Sequence, residues 1–271
     1  MLFRSGNAAF LVGPTDNTQA LWQLCLDAMQ EERERGGCRA IDTETISEVN
    51  SHAPGYIDRD REVIVGLQTD LLLKRAMKPF GGIRVVEGAV AERGLKVSEQ
   101  VSEIFRYAKD HNNAVYDPEI RLYRAQGILT GLPDNYARGR IIGDYRRLAL
   151  YGADRLIEAK LADQLAIDGE MDEYKIRLRE EVTYQIQALK DIVAMGASYG
   201  LDLSRPAENA QEAVQWTYMA YLAAVKEQDG AAMSLGNVSS FLYIYSERDL
   251  ADGLITGAEA QEMIDHYVRK R

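Results

Sequence analysis

The chain has 271 residues, 30.4 kDa of mass, a net charge of -10 and an isoelectric point near 5.0. With 46% hydrophobic and 27% charged residues it reads as a soluble globular protein long enough to bury a sizeable core. The acidic balance excludes indiscriminate binding to nucleic acid or to an anionic membrane, because the field of the whole protein repels polyanions.

No apolar run has the length of a membrane span, and "AFLV" (Ala9 to Val12) is too short for a signal core. Two separate cysteines, Cys25 and Cys38, fit a reducing, cytoplasmic setting. The three histidines, His52, His111 and His266, form no cluster at metal-ligand spacing, so no bound metal is expected. Met1 to Ser5 is what ATG-CTC-TTC-CGA-TCT encodes, and the last four codons resemble the end of a sequencing adapter. Residues 1–9 are therefore set aside as a tail carrying an assembly artefact, and residues 10–271 are read as the folded portion.

In chain order, Thr15 or Asp16 caps a first helix that runs to Arg35, where Gly36 and Gly37 stop it. Ile41 to Asp60 reads as irregular, and a short helix is predicted over Arg61 to Met77, ended by Lys78-Pro79. "FGGIRVVEGAV" (Phe80 to Val90) is the best strand candidate. Ser98 caps a helix from Glu99 to Asp110, and residues 111–137 read mostly as loops. A further helix starts near Gly143 and runs past Gly152 to about Ile167. Leu178, Val182, Ile186, Leu189 and Val193 form one helical stripe; Val214, Tyr218, Tyr221, Leu222 and Val225 form another. "AAMSLGNVSSFLYIY" (Ala231 to Tyr245) is β-prone and suggests a buried strand. Thr256 with Glu259 is a capping-box pattern for a last helix. No repeat, low-complexity segment or linker divides the chain.

The chemically informative stretch is "GLPDNYARGRIIGDYRRLALYG" (Gly131 to Gly152), which sets Arg138, Arg140, Arg146 and Arg147 within ten residues. A phosphate loop fails, since neither G-x-G-x-x-G nor G-K-[ST] is present. A solvated, self-paired helix face explains much of it: Asp144 stands three residues before Arg147, and Arg155 three before Glu158. An anion site is the alternative for Arg138 and Arg140, which fall where loop passes to helix and whose guanidinium forks match a carboxylate. Tyr116 and Tyr123, beside Arg121 and Arg124, offer rings to stack on and cations for phosphates, although by their pattern alone surface packing is the better account. "WTYMAYLAAV" reads as core, and Cys25 as a small hydrophobe within a helical apolar pattern. Spacing alone leaves the arginines undecided.

Four long strings carry a resemblance. The arginine stretch, "IVGLQTDLLLKRAMKPFGGIRVVEG", "NAQEAVQWTYMAYLAAVKEQDGAAMSLG" and "ERDLADGLITGAEAQEMIDH" are similar to the pyruvate formate-lyase (formate acetyltransferase) family of glycyl radical enzymes, from about Phe10 to His266. The resemblance is to the first part of that family. It implies an α/β fold, the helix-rich N-terminal part of a ten-stranded glycyl radical enzyme barrel, truncated at its C-terminal end. The adjacent cysteine pair and radical glycine of the family lie beyond the matched part, so no catalytic residue is assigned to this chain, which by itself is expected to be inactive. Strands that pair with missing ones would leave open edges, and aggregation of the isolated chain follows from that.

The implied reaction converts pyruvate and CoA to acetyl-CoA and formate by glycyl and thiyl radical chemistry. The radical is installed by an activating enzyme that uses S-adenosylmethionine and an iron–sulfur cluster. The full-length enzyme is expected to be a cytoplasmic homodimer. The family's second arginine of "RGR" contacts the substrate carboxylate, which transfers to Arg140. The loop matching "HNNAVYDPEIRLYR" implicates Tyr116 and Arg124 in binding the adenine of CoA. Asn237 and Tyr243 stand where many members carry a basic and an acidic residue. A 2-oxobutanoate formate-lyase shares these strings, and a noncatalytic helical interaction protein would keep the same surface.

Overall fold

A computed structural model of the chain describes residues 13–77, 118–129, 143–228 and 233–270, with Gly94 and Glu99. Its elements are α1 (Asp16–Arg35), β1 (Ala40–Ile46), β2 (Lys74–Met77), α2 (Pro118–Ala125), α3 (Arg146–Ala166), α4 (Glu173–Ser198), α5 (Ala210–Gln228), α6 (Ser239–Ala251) and α7 (Gly257–Arg269). The expected strand Phe80 to Val90 and the body of the helix Glu99 to Asp110 lie outside the described residues.

Helix ends follow local sequence. The Thr15 hydroxyl accepts the Thr18 N–H at 3.1 Å and opens α1. Gly36, at φ 66°, closes it, and the N–H groups of Gly36 and Gly37 return to Arg33 and Glu32. At α7 the capping box is complete: Glu259 N–H reaches Thr256 Oγ1 at 3.2 Å, and Thr256 N–H reaches Glu259 Oε2 at 2.7 Å.

Three expectations are corrected. Ala40 to Ile46 is a strand, not irregular chain, and pairs in parallel with β2 in the register Ala40↔Lys74, Ile41↔Arg75, Ile46↔Met77. Parallel pairing requires a long crossover, and residues 47–73 supply it without the helix expected from Arg61. The reason is tertiary, since side chains from three distant helices hydrogen-bond its backbone. Gly55 N–H donates to Tyr199 Oη at 2.9 Å. Val63 N–H donates to His266 Nδ1 at 3.2 Å. Gln215 accepts the Val65 N–H at 2.7 Å and donates to the Val65 carbonyl at 2.9 Å. The Gly66 carbonyl accepts from Tyr218 Oη at 3.0 Å and from Lys270 Nζ at 3.2 Å.

Of residues 111–137, expected to be mostly loops, 118–129 are described and hold one short helix. Pro118 to Ala125 is helical, with proline at the first turn and a Tyr123–Glu119 hydrogen bond of 2.7 Å along one face. Third, the strand expected over Ala231 to Tyr245 is helical from Ser239 onward, in α6. Phe241, Leu242 and Asp249 are buried and Tyr245 half-buried, whereas Tyr243 and Ile244 face solvent, which is a helical and not an alternating pattern. Asn237 accepts a hydrogen bond from Ser239, and the Tyr243 hydroxyl is held up by Glu247.

α5 is the central helix, with Trp216, Tyr218, Met219 and Leu222 buried among residues from α3, α4, α6 and α7. Asp249 of α6 accepts the Ala210 N–H at 2.6 Å and so caps α5 with a buried carboxylate. In α4, Val182 and Ile186 are buried and Leu178 is exposed, so the stripe is covered only at its middle and C-terminal half.

α3 is broken at Gly152, which adopts φ 70° and ψ 163°. The break frees backbone groups for the chain that crosses there. Ala153 N–H reaches the Leu203 carbonyl at 2.9 Å, Asp154 N–H reaches that of Ser204 at 3.1 Å, and Ala207 N–H reaches that of Ala149 at 2.8 Å. A Cβ at residue 152 would meet the Ser204 oxygen at 2.3 Å, whereas one at Gly36 would meet nothing within 4 Å. We expect Gly152→Ala to cost about 3 kcal/mol or more, and Gly36→Ala about 1 kcal/mol, for its left-handed backbone alone. Urea-unfolding midpoints of the two variants check the order.

His266 is 1% exposed, and burial pushes its imidazole down from 6.5 to about 4. The folded state therefore holds the ring neutral while the unfolded chain takes up the proton first. Its contribution is present above about pH 6.5 and lost as pH falls towards 4, amounting to about 3 kcal/mol across that window. The difference between the pH–stability curves of the wild type and His266→Gln isolates this term; parallel curves would contradict it.

Candidate functional site

Arg138, Arg140 and Tyr116 lie outside the described residues. Arg124 is exposed in the last turn of α2, on the same short helix as Arg121. What the structure describes is the support on which the arginine stretch is mounted.

That stretch enters the described fold at Gly143. Tyr145 is buried and meets Tyr221 of α5 edge to face, with centroids 5.6 Å apart and planes at 88°. A Cβ on residue 143 would stand 2.5 Å from the Tyr145 ring, so glycine is what lets the chain close over it. Asp144 pairs with Arg146 at 2.6 Å, not with Arg147 as helix spacing suggests, because Asp144 precedes the first helical turn. The Arg146 hydrogen bond holds the Asp144 carboxyl below its usual range. Arg147 is exposed and borders a cavity of about 360 Å³ between α3, α4 and α5, walled by Leu148, Leu156, Leu189 and Ile192. Arg155 and Glu158 pair at 3.1 Å on the surface, as their spacing predicts.

α3 and α5 run antiparallel, since Tyr145 meets Tyr221 while the Ala149 carbonyl meets Ala207 N–H. The start of α3 and the end of α5 therefore lie at the same end of the pair. There α5 carries Lys226, 2% exposed, whose ammonium burial pushes down to about 8. Its backbone carbonyl accepts from Ser47 Oγ at 2.7 Å, tying α5 to the strand β1 end. Sequence reading passed over Lys226; the available signal was a lone lysine closing the apolar run "AYLAAVK".

A second basic lining is formed by α1, β2 and α7, around a cavity of about 380 Å³ that includes Cys25, Lys74, Arg75, Arg269 and Lys270. Burial pushes the Cys25 thiol up, and both cysteines are free, which removes any activated thiolate from this position. Among the described residues no group of three or more His, Cys, Asp or Glu is arranged to hold a metal ion, and no helix is long and apolar enough to cross a membrane.

Two solved structures share this arrangement. One is the glycerol-bound form of the B12-independent glycerol dehydratase from Clostridium butyricum, with a TM-score of 0.60 over 96% of this chain and 40% of that one, at 15% identity. The other concerns 1,2-propanediol dehydration in Roseburia inulinivorans, with a TM-score of 0.58 over 94% of this chain and 39% of that one, also at 15% identity. The chain thus shares the fold of a part of these two proteins, helix-rich and with a two-stranded parallel sheet among the described residues.

At the level of sequence, residues 8–271 match the model of the pyruvate formate lyase-like family, and the chain belongs to that family. It is 50% identical to the formate acetyltransferase of Haemophilus influenzae across 98% of its own length, and spans 36% of that relative.

Removing the Tyr145 ring should loosen the mount of the arginine stretch. We expect Tyr145→Ala to lose about 3 kcal/mol of stability, and Tyr145→Phe less than about 1 kcal/mol, because the ring contact is kept. Thermal melts of both variants test it.

Proposed function

We propose that the protein carrying this chain is a formate C-acetyltransferase. It converts pyruvate and CoA to acetyl-CoA and formate in the anaerobic fermentation of glucose, in the cytoplasm. The observation that carries this reading is the 50% identity to a formate acetyltransferase, sustained over 98% of the chain. The matched length takes in the arginine stretch as well as the helices around it.

Breaking the bond next to a carboxylate requires that the carboxylate be held still, and a guanidinium fork does this with two parallel charge-assisted hydrogen bonds. Arg140 is the residue we assign to that grip. The rigid mount at Gly143 to Tyr145, three residues further on, supports the assignment, because a positioning residue gains precision from a fixed neighbouring backbone. Tyr116 and Arg124 are assigned to the adenine end of CoA, by stacking and by polar contact.

Glycyl radical chemistry supplies the homolytic carbon–carbon cleavage. Cys25 and Cys38 are not adjacent and do not carry it. The partners, an S-adenosylmethionine-dependent activating enzyme and a second enzyme subunit, belong to the same reading.

In a full-length, activated enzyme, Arg140→Ala should raise the pyruvate KM at least about tenfold and lower kcat, since a lost charge-assisted contact costs about 1.5–3 kcal/mol. Arg140→Lys should recover part of the binding but not the turnover. Kinetics equal to the wild type would sink the assignment. Running the same variants with 2-oxobutanoate distinguishes a grip on the shared carboxylate from selection of the longer chain.

A further inference from the structure

The cavity of about 380 Å³ between α1, the 67–76 segment, α5 and α7 is lined by four cations, Lys74, Arg75, Arg269 and Lys270, and by no acidic residue. That is unexpected in a chain of net charge -10. Three of the four are matched by carboxylates standing outside the lining. Lys270 pairs with Glu62 at 3.0 Å, Lys74 with Asp70 at 2.8 Å, and Arg75 with Glu32 at 3.0 Å. Arg269 differs. Its guanidinium lies over the Trp22 ring, 5.9 Å from the centroid, and its buried Nε and Nη1 have no hydrogen-bond partner. Arg269 as a whole is half-buried, yet enclosed donors left unused are costly unless an acceptor reaches them. Leu67, Leu71, Leu72 and Tyr218 give the remaining walls an apolar and aromatic part, Gln68 and Thr69 a polar one, and the volume is within the range of small-molecule sites, about 300–1,000 Å³.

We propose that this cavity binds a small organic oxyanion, a carboxylate or a phosphate ester, whose charged head meets Arg269 and whose apolar body lies against the leucines. The charge count sets the class. Among the described residues one cation of the lining is left unmatched, so a single anionic head completes the site. The cavity lies among α1, β2 and α7 and shares no lining residue with the cavity at the start of α3. The proposal does not depend on the assigned activity.

Trp22 reports on the site. It is 51% exposed, whereas Trp216, the other tryptophan of the chain, is 2% exposed and core-packed. In the full-length chain at constant ionic strength, tryptophan fluorescence is titrated with hexanoate, inorganic phosphate and neutral hexanol. Saturable quenching or enhancement by hexanoate, by phosphate, or by both, with half-saturation below about 10 mM and no response to hexanol, is expected. Response to hexanoate alone marks a carboxylate site, and to phosphate alone a phosphate site. Arg269→Met should weaken binding at least about tenfold while leaving the melting temperature unchanged or raised, because it removes enclosed N–H donors that have no partner. If Arg269→Met unfolds, Arg269→Gln serves, with the same loss expected. Protection of Cys25 from alkylation by the bound anion, read on the Cys25-containing peptide by mass spectrometry, places the ligand in this cavity. Absence of saturable binding by both anions, binding unchanged in the folded Arg269 variant, or unaltered Cys25 alkylation at saturation would overturn the proposal.

Discussion

The arrangement depends on a stretch of backbone that has no secondary structure of its own. Residues 55–67 pass between α4, α5 and α7, where an unpaired peptide group would cost as much as a lost hydrogen bond. Their N–H and C=O groups are instead satisfied by the side chains of Tyr199, Gln211, Gln215, Tyr218, His266 and Lys270. Gln215 does what a neighbouring strand would do, accepting from and donating to the same residue, Val65. This explains why α5, the most buried helix, still carries polar residues facing inward. It also explains why the crossover between two parallel strands works without a covering helix of its own.

Two buried charges secure that stretch. Glu62 and Lys270 are an ion pair whose side chains are 0% and 1% exposed, and Glu62 also accepts the N–H groups of Ile57 and Asp58. Removing one partner would leave the other desolvated and unmatched, which is far more damaging than the pair is stabilising. The pair joins α7 to a segment some two hundred positions earlier, and Lys270 donates in addition to Gly66. Thr15 of the α1 cap reaches Glu262 at 2.6 Å, so the first and last described helices are tied at this same side. The cationic cavity opens between these ties.

Much of the fold was legible in the chain wherever the deciding interaction is local. Thr15, Gly36 and the Thr256–Glu259 box act on groups within four residues of themselves. The break at Gly152 was not legible, although the helix passing through it was, because a glycine inside a helix gives no sign of what crosses it. The same holds for "FLYIY", whose β-prone composition is overruled by the need to bury Phe241 and Leu242 on one side and to bring Asp249 under α5. Of the site, the arginine stretch stood out by its density of charge. Its mount, Tyr145 on Tyr221, joins residues 76 positions apart and had no signature in the sequence.

By itself the sequence determined where most helices begin and end, which of their faces are apolar, and, through long strings of similarity, the family to which the chain belongs. Those properties depend on spacing and on neighbours a turn away. Only the tertiary structure decided the course of residues 47–73, the helical state of α6, the pairing of Asp144 with Arg146, and the isolation of Lys226 and Arg269 among buried side chains. Each of these turns on which polar group a distant element leaves unsatisfied, and linear order does not encode that distance.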